Sequence, residues 1–268
     1  MTRTQINVAT MNGAAALIRD ELARGPVLPV PPRELRAITA CPEEELFLSG
    51  GLANAALFAA LFEKHAGAHR AKVRALDLGC GCGRLSRYLG WRYELFGCDL
   101  NPDHVAWCWE HLPNVTTLQN GKNPPLPFAP GSFGFAYALS VVTHLSEANA
   151  LGWIADLARV LKPGGIAIVT THGYPCLATL AASREKRDYL AFSEATVRDI
   201  RLALPREGWV YVPYPPEVVK AANVGIDYGL SFTNPTHADA TWGHFFEIVE
   251  HIAGALDGWQ DAFVLRRR

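Results

Sequence analysis

Two acids bracket a run of alternate glycines: Asp77-Leu78-Gly79-Cys80-Gly81-Cys82-Gly83-Arg84 and, further on, Leu95-Phe96-Gly97-Cys98-Asp99. Glycine permits positive φ and lets the backbone approach a ligand without a Cβ in the way. A carboxylate about twenty residues beyond a first strand accepts hydrogen bonds from ribose hydroxyls. Together these residues read as a site for a cofactor that bears a ribose. His144 and His172 follow later apolar runs and have the type for a general base near neutral pH, or for hydrogen-bonding a loop in place. Cys80 and Cys82 make half of a metal clamp, but Cys98 and Cys108 lack zinc spacing, so no metal is expected.

Positioning such residues requires alternating strands and helices. Val73 opens a short apolar run into the glycine turn, Arg84 to Leu89 is helical in pattern, and a second apolar run ends at Asp99. Asn101-Pro102-Asp103 is a helix start, with Asn101 as N-cap and Pro102 in the first turn, and the helix runs to His111. Strands are expected at Val115–Gln119, Phe133–Leu139 and Ile166–Thr170, with a helix from Glu147 to Leu161 stopped by Lys162-Pro163-Gly164-Gly165. This alternation implies a mostly parallel sheet. Before it, Gly13–Arg24 and Glu43–His65 are helical, the second with a break at Ser49-Gly50-Gly51, joined by the proline-rich connector 26–32. After it, the pattern predicts a helix at Ser193–Leu204 ended by Pro205, strands at Trp209–Val212 and Ile226–Phe232, a long helix over Pro235–Leu256 and a last strand at Asp261–Leu265.

The chain has 268 residues, 49% of them apolar, and a net charge of −1. That is enough for a full core and gives no polyanion-binding signature, so no nucleic-acid partner is expected. No stretch is expected to reach the length of a membrane span, the first twenty residues lack the order of a signal peptide, and the six scattered cysteines suit a reducing compartment. A cytoplasmic location follows as the expectation.

The blocks Leu76–Arg84, Gly97-Cys98-Asp99, Pro125-Leu126-Pro127-Phe128 with Gly131-Ser132-Phe133, and Leu161–Gly165 resemble, in order and spacing, the class I S-adenosylmethionine-dependent methyltransferases. The ending Gln260–Leu265 is similar to the final antiparallel strand of that fold. Tyr137–Leu145 with Thr170–Gly173 looks like a bacterial subgroup found beside glycan or natural-product biosynthesis enzymes. The resemblance implies a Rossmann-like, doubly wound α/β fold: a seven-stranded sheet in the order 3-2-1-4-5-7-6, last strand antiparallel. Residues 1–70 would be an N-terminal helical cap and 71–268 the methyltransferase domain, with a substrate-specific insertion around 174–225.

It also implies roles. S-adenosylmethionine, leaving as S-adenosylhomocysteine, would lie with its methionine half along Gly79, Cys80, Gly81 and Gly83, above a buried Asp77. Asp99 would take the ribose, Leu100 would pack on adenine, and Asn120-Gly121 would meet the adenine edge. Ser140 would lie near the sulfonium. Gly134 departs from the family's usual Asp, which leaves the local turn looser. The acceptor would be a hydroxyl or amine of a small molecule, such as a natural product or sugar, with His172 or His144 as base. A dehydrogenase would show GxGxxG spacing and no Pro-Gly-Gly turn, the reverse of this chain. Another transferase on the same fold, or a cofactor-binding homologue without activity, fits the same residues.

Overall fold

The computed structural model describes residues 8–67, 72–216 and 228–268. Seven strands form one mixed sheet: β1 (Arg74–Leu78), β2 (Glu94–Asp99), β3 (Val115–Gln119), β4 (Phe133–Ala138), β5 (Leu161–Thr171), β8 (Phe246–Leu256) and β9 (Gln260–Arg267). Their order is β3-β2-β1-β4-β5-β9-β8. β1 runs parallel to β2 and β4, and β9 runs antiparallel to both β5 and β8. This is the sheet expected from the sequence, with β8 and β9 as its sixth and seventh strands. β6 (Trp209–Pro213) and β7 (Gly229–Thr233) pair with each other as a two-stranded antiparallel ribbon, and Phe232 of β7 makes an isolated parallel bridge to His172.

By contacts the chain divides into one unit of residues 1–120 with 133–137 and a second of 121–132 with 138–268. The first holds α1 (Val8–Leu22), α2 (Arg33–Ile38), α3 (Glu44–Ala66), α4 (Ser86–Leu89) and α5 (Pro102–His111). Its core is aromatic: Phe62 of α3 stacks on Phe135 at 4.4 Å, Tyr93 meets both edge-on, and Phe58 meets Tyr137. Asn101 caps α5, its side chain accepting from the Asp103 and His104 amides at 2.9 and 3.4 Å. Asn101→Ala is expected to cost about 1 kcal/mol in urea unfolding.

The expected break at Ser49-Gly50-Gly51 is absent, and α3 runs unbroken for 23 residues. Gly51 serves a close approach instead, since a Cβ there would stand 2.5 Å from the Arg84 carbonyl oxygen. Being continuous, α3 is long and apolar enough to cross a bilayer by length and composition, which corrects the expectation that no stretch reaches that length. Half of the apolar stretch is buried within the protein, with Phe47, Phe58, Leu61 and Phe62 in its core. Gly134 lies inside β4, where a side chain would press on Val73.

The second unit holds α6 (Glu147–Val160), α7 (Tyr174–Ala182), α8 (Arg184–Tyr189), α9 (Glu194–Glu207) and α10 (Pro235–Trp242). Leu177 and Leu180 of α7, Val197, Ile200 and Leu204 of α9, and Leu230 and Phe232 of β7 share one core. Three expectations change here. α9 runs through Pro205 to Glu207, because a proline in the last turn forfeits one hydrogen bond while Gly208, at φ +78°, closes the helix. β5 begins at Leu161, absorbing the Pro-Gly-Gly segment with Gly164 at φ +76°. The long helix over Pro235–Leu256 is α10 followed by β8; Gly243 ends the helix and Phe246–Ile252 pairs with β9. The pairing of β8 is interrupted twice, between Ile248 and Glu250 and between Ile252 and Leu256. The strand expected at Ile226–Phe232 is β7, and residues 226–227 of that expectation lie outside the described residues.

Candidate active site

Gly79, Gly81 and Gly83 all have positive φ, at +72°, +54° and +81°, a path closed to most side chains. The turn they make is tied to β2, whose Cys98 carbonyl accepts from the Gly79 and Cys80 amides. Asp99, at the end of β2, completes the frame: its Oδ2 accepts from the Gly81 amide and its Oδ1 from the Asn101 amide, each at 2.8 Å. His104 Nδ1 stands 3.5 Å from Oδ1. Leu100 follows directly and its carbonyl accepts from Gln119. The Asn120 amide donates to the Asp99 carbonyl, so Asn120 is brought to the same strand end. Gly121 comes next in the chain and belongs to the other unit.

Asp77, at the end of β1, is 3% exposed. Ser86 Oγ donates to its Oδ2 at 2.5 Å, and the Tyr137 hydroxyl faces the same carboxyl. Burial raises the Asp77 carboxyl to about 7, against the lowering effect of Ser86 and Tyr137. This acid is therefore short of positive charge. The sequence offered no sign of Ser86 or Tyr137 as its partners, because both come to it only through the fold.

Sequence reasoning also missed Thr39. Its methyl stands 2.7 Å from where a Gly81 Cβ would lie, and Leu112 and Cys108 fill the corresponding space at Gly83. The thiols of Cys80 and Cys108 both point at the Gly81 carbonyl, at 3.5 and 3.4 Å. Each neighbours the other, and that contact with burial pushes the Cys80 thiol well up, so it is an inert packing group. Among the described residues, no group of three or more His, Cys, Asp or Glu is arranged to hold a metal.

In the second unit Ser140, at the end of β4, takes φ +59°, a strained value for serine. Its amide donates to Thr170 Oγ1 at 2.8 Å, and Gln260 Nε2 donates to its hydroxyl at 2.8 Å. His144 lies in a short 3-10 turn after β4, and His172 follows β5. Each uses Nδ1 toward a carbonyl of β7: His144 toward Gly229 at 3.1 Å and His172 toward Ser231 at 3.2 Å. Burial lowers both pKa values, with His144 a further cause for His172, which falls to about 3. Two further histidines of this unit are tied to acids, His237 to Glu147 and His251 to Asp261. A cavity of about 400 Å³ among α7, α8 and α9 is lined by Arg187, Arg198 and Arg201 and by none of the candidate residues.

Residues 76–169 match the family described as "Methyltransferase domain". The chain is 33% identical over 101 residues to an uncharacterized methyltransferase of Synechocystis, covering 37% of this chain and 47% of that protein. It spans less than half the length of the curated relatives it matches first. A SAM-dependent methyltransferase structure from Methanosarcina mazei superposes with a TM-score of 0.51 at 17% identity, over 74% of this chain and 94% of that one. The glycopeptide N-methyltransferase MtfA gives 0.51 at 14% identity, over 90% of this chain and all of the other. At such identities these two structures speak for the fold alone. The matched domain spans β1 to β5, and the sheet order is the one that the resemblance implied.

Proposed function

We infer that the chain transfers a methyl group from S-adenosylmethionine to a hydroxyl or amine of a small molecule, such as a natural product or sugar, in the cytoplasm. One observation carries this reading: two acids at the ends of adjacent strands frame a left-handed glycine turn, each with an unmet need that the cofactor would satisfy. Each Asp99 oxygen already accepts one amide and keeps about one lone pair, which suits the two ribose hydroxyls. Asp77 is buried and short of positive charge, which suits an ammonium group placed near the turn. Gly79, Cys80, Gly81 and Gly83 would line the methionine half, Leu100 would cover adenine, and Asn120-Gly121 would meet its edge. When bound, the cofactor supplies an electrophilic methyl on a sulfonium. The chain's own residues contribute alignment, which is where most of the rate comes from in an in-line displacement.

Burial weakens both His172 and His144 as bases, so alignment is proposed as the main source of rate, with a base role for either histidine reserved for a hydroxyl acceptor. Residues 1–70 and the segment around 174–225 are proposed to select the acceptor; residues 217–225 lie outside the described ones. Calorimetry is expected to show S-adenosylhomocysteine binding at micromolar levels or tighter. Asp99→Ala is expected to weaken it by about 2–3 kcal/mol, because two hydrogen bonds to a charged acceptor are lost. Binding of NADH in place of the sulfonium cofactor would overturn the reading.

A further inference from the structure

One edge of β7 is paired with β6, which leaves the carbonyls of its other edge in need of donors. Gly229 and Ser231 are two residues apart, so their carbonyls leave the strand on the same side, about 7 Å from each other. His144 and His172 meet them in turn, each through Nδ1. A carbonyl oxygen can only accept, so both rings carry their proton on Nδ1 and hold a bare lone pair on Nε2. Burial keeps both rings neutral. No donor meets either Nε2 among the described residues. The rings are fixed in plane as well as in tautomer: His144 stacks on Tyr228 at 4.9 Å, with the Tyr214 hydroxyl 3.2 Å from its Nδ1. His172 is held between Phe232 and Trp259, at 5.5 and 5.8 Å. The Ser231 hydroxyl, donating to the Val142 carbonyl, ties β7 to the turn that carries His144.

Two neutral rings with parallel anchors and matching lone pairs make a receptor for hydrogen-bond donors. We propose that His144 and His172 receive the methyl acceptor through its own N–H or O–H groups, selecting hydroxyl and amine acceptors and rejecting carboxylates and phosphates. The proposal rests on the methyltransferase reading above and narrows it. A carboxylate would set lone pair against lone pair, whereas a hydroxyl or amine would donate to a lone pair that no described side chain meets. Burial outweighs the carbonyl anchors, which by themselves favour the charged ring, so both rings remain acceptors.

The test uses the full chain with 15N-labelled histidine, in the presence of S-adenosylhomocysteine. Signals are assigned with His144→Gln and His172→Gln variants whose circular dichroism is native. Long-range 1H–15N spectra are expected to show Nδ1–H and a bare Nε2 for both residues at about pH 8, unchanged for His172 down to about pH 5. Tyramine and catechol, as donor probes, are expected to shift the bare Nε2 signals, and phenylacetate to leave them in place. A proton on Nε2 of either ring, a shift by phenylacetate equal to that of the donors, or no shift by either donor would overturn the proposal. Calorimetry of S-adenosylhomocysteine separates the two readings: donor shifts without cofactor binding would sink the methyltransferase function and keep the donor receptor.

Discussion

Asp77→Asn is expected to make the protein more stable at pH 8 and worse at holding its cofactor. The carboxyl titrates at about 7 in the fold against 3.8 for an unperturbed aspartate, so the native state binds more protons than the unfolded chain between those values. Stability therefore falls as pH rises through that window. The penalty is absent below about pH 4 and complete above about pH 7, where it is on the order of 4 kcal/mol. An asparagine at this position keeps an oxygen for Ser86 and never ionises, so urea unfolding should show a gain at pH 8 that vanishes near pH 4. A gain independent of pH would mean that the carboxyl titrates alike in the folded and the unfolded chain. Cofactor affinity should respond in the opposite direction. An ammonium beside Asp77 favours its ionised form, so wild-type binding should tighten with rising pH up to about 7 and release a proton. The asparagine variant should lose both the affinity and the proton release, measured by calorimetry in buffers of different ionisation heat.

Gly81→Val is expected to destabilise the fold itself. The sequence alone suggested that a side chain there would occupy ligand space, but the space next to Gly81 belongs to the Thr39 methyl. A β-branched residue at φ +54° costs about 1–2 kcal/mol in the backbone, and forcing a methyl group away adds about 1–3 kcal/mol. The sum, about 2–5 kcal/mol, is measurable by urea unfolding. Gly81→Ala separates the two parts. Combined with Thr39→Ala it should recover the steric share and keep the backbone share. A penalty unchanged by Thr39→Ala would show that the contact is not the cause.

The part of the fold legible from sequence was the part dictated by local chemistry. Glycines alternating after an apolar run have one economical use, and Asn101-Pro102 states a helix start in two residues. These gave β1, the turn, β2 and α5 in their places. Misread segments were those where distant partners decide. Gly50-Gly51 has the composition of a helix breaker, yet Gly51 is required because Arg84 passes against it. The pattern over Pro235–Leu256 read as one long helix, while the stop at Gly243 and the alternation of Phe246-Glu247-Ile248 belong to a strand that pairs with β9. In the site, Asp77 and Asp99 could be picked out as acids at strand ends. Ser86, Tyr137, Thr39 and Gln260 could not, since nothing in their spacing says which atom they will meet. The roles of His144 and His172 turn on two carbonyls of β7, a segment whose sequence shows only that it is a strand.

The interrupted pairing of β8 has a consequence for how copies of this chain meet one another. β8 is an outer strand of a seven-stranded sheet, eleven residues long, and such an edge is a template on which another chain can crystallise as added β-structure. Its two irregularities divide it, so that regular pairing never runs beyond three consecutive residues, 246–248 and 250–252. Glu247 and Glu250 stand within those stretches, adding like charge to the broken geometry. At the opposite border β3 has five residues, too short to seed a stack. Both borders of the sheet are thus blunted against fibrillar growth, and deleting Val249 would join 246–252 into one regular run and remove part of that protection.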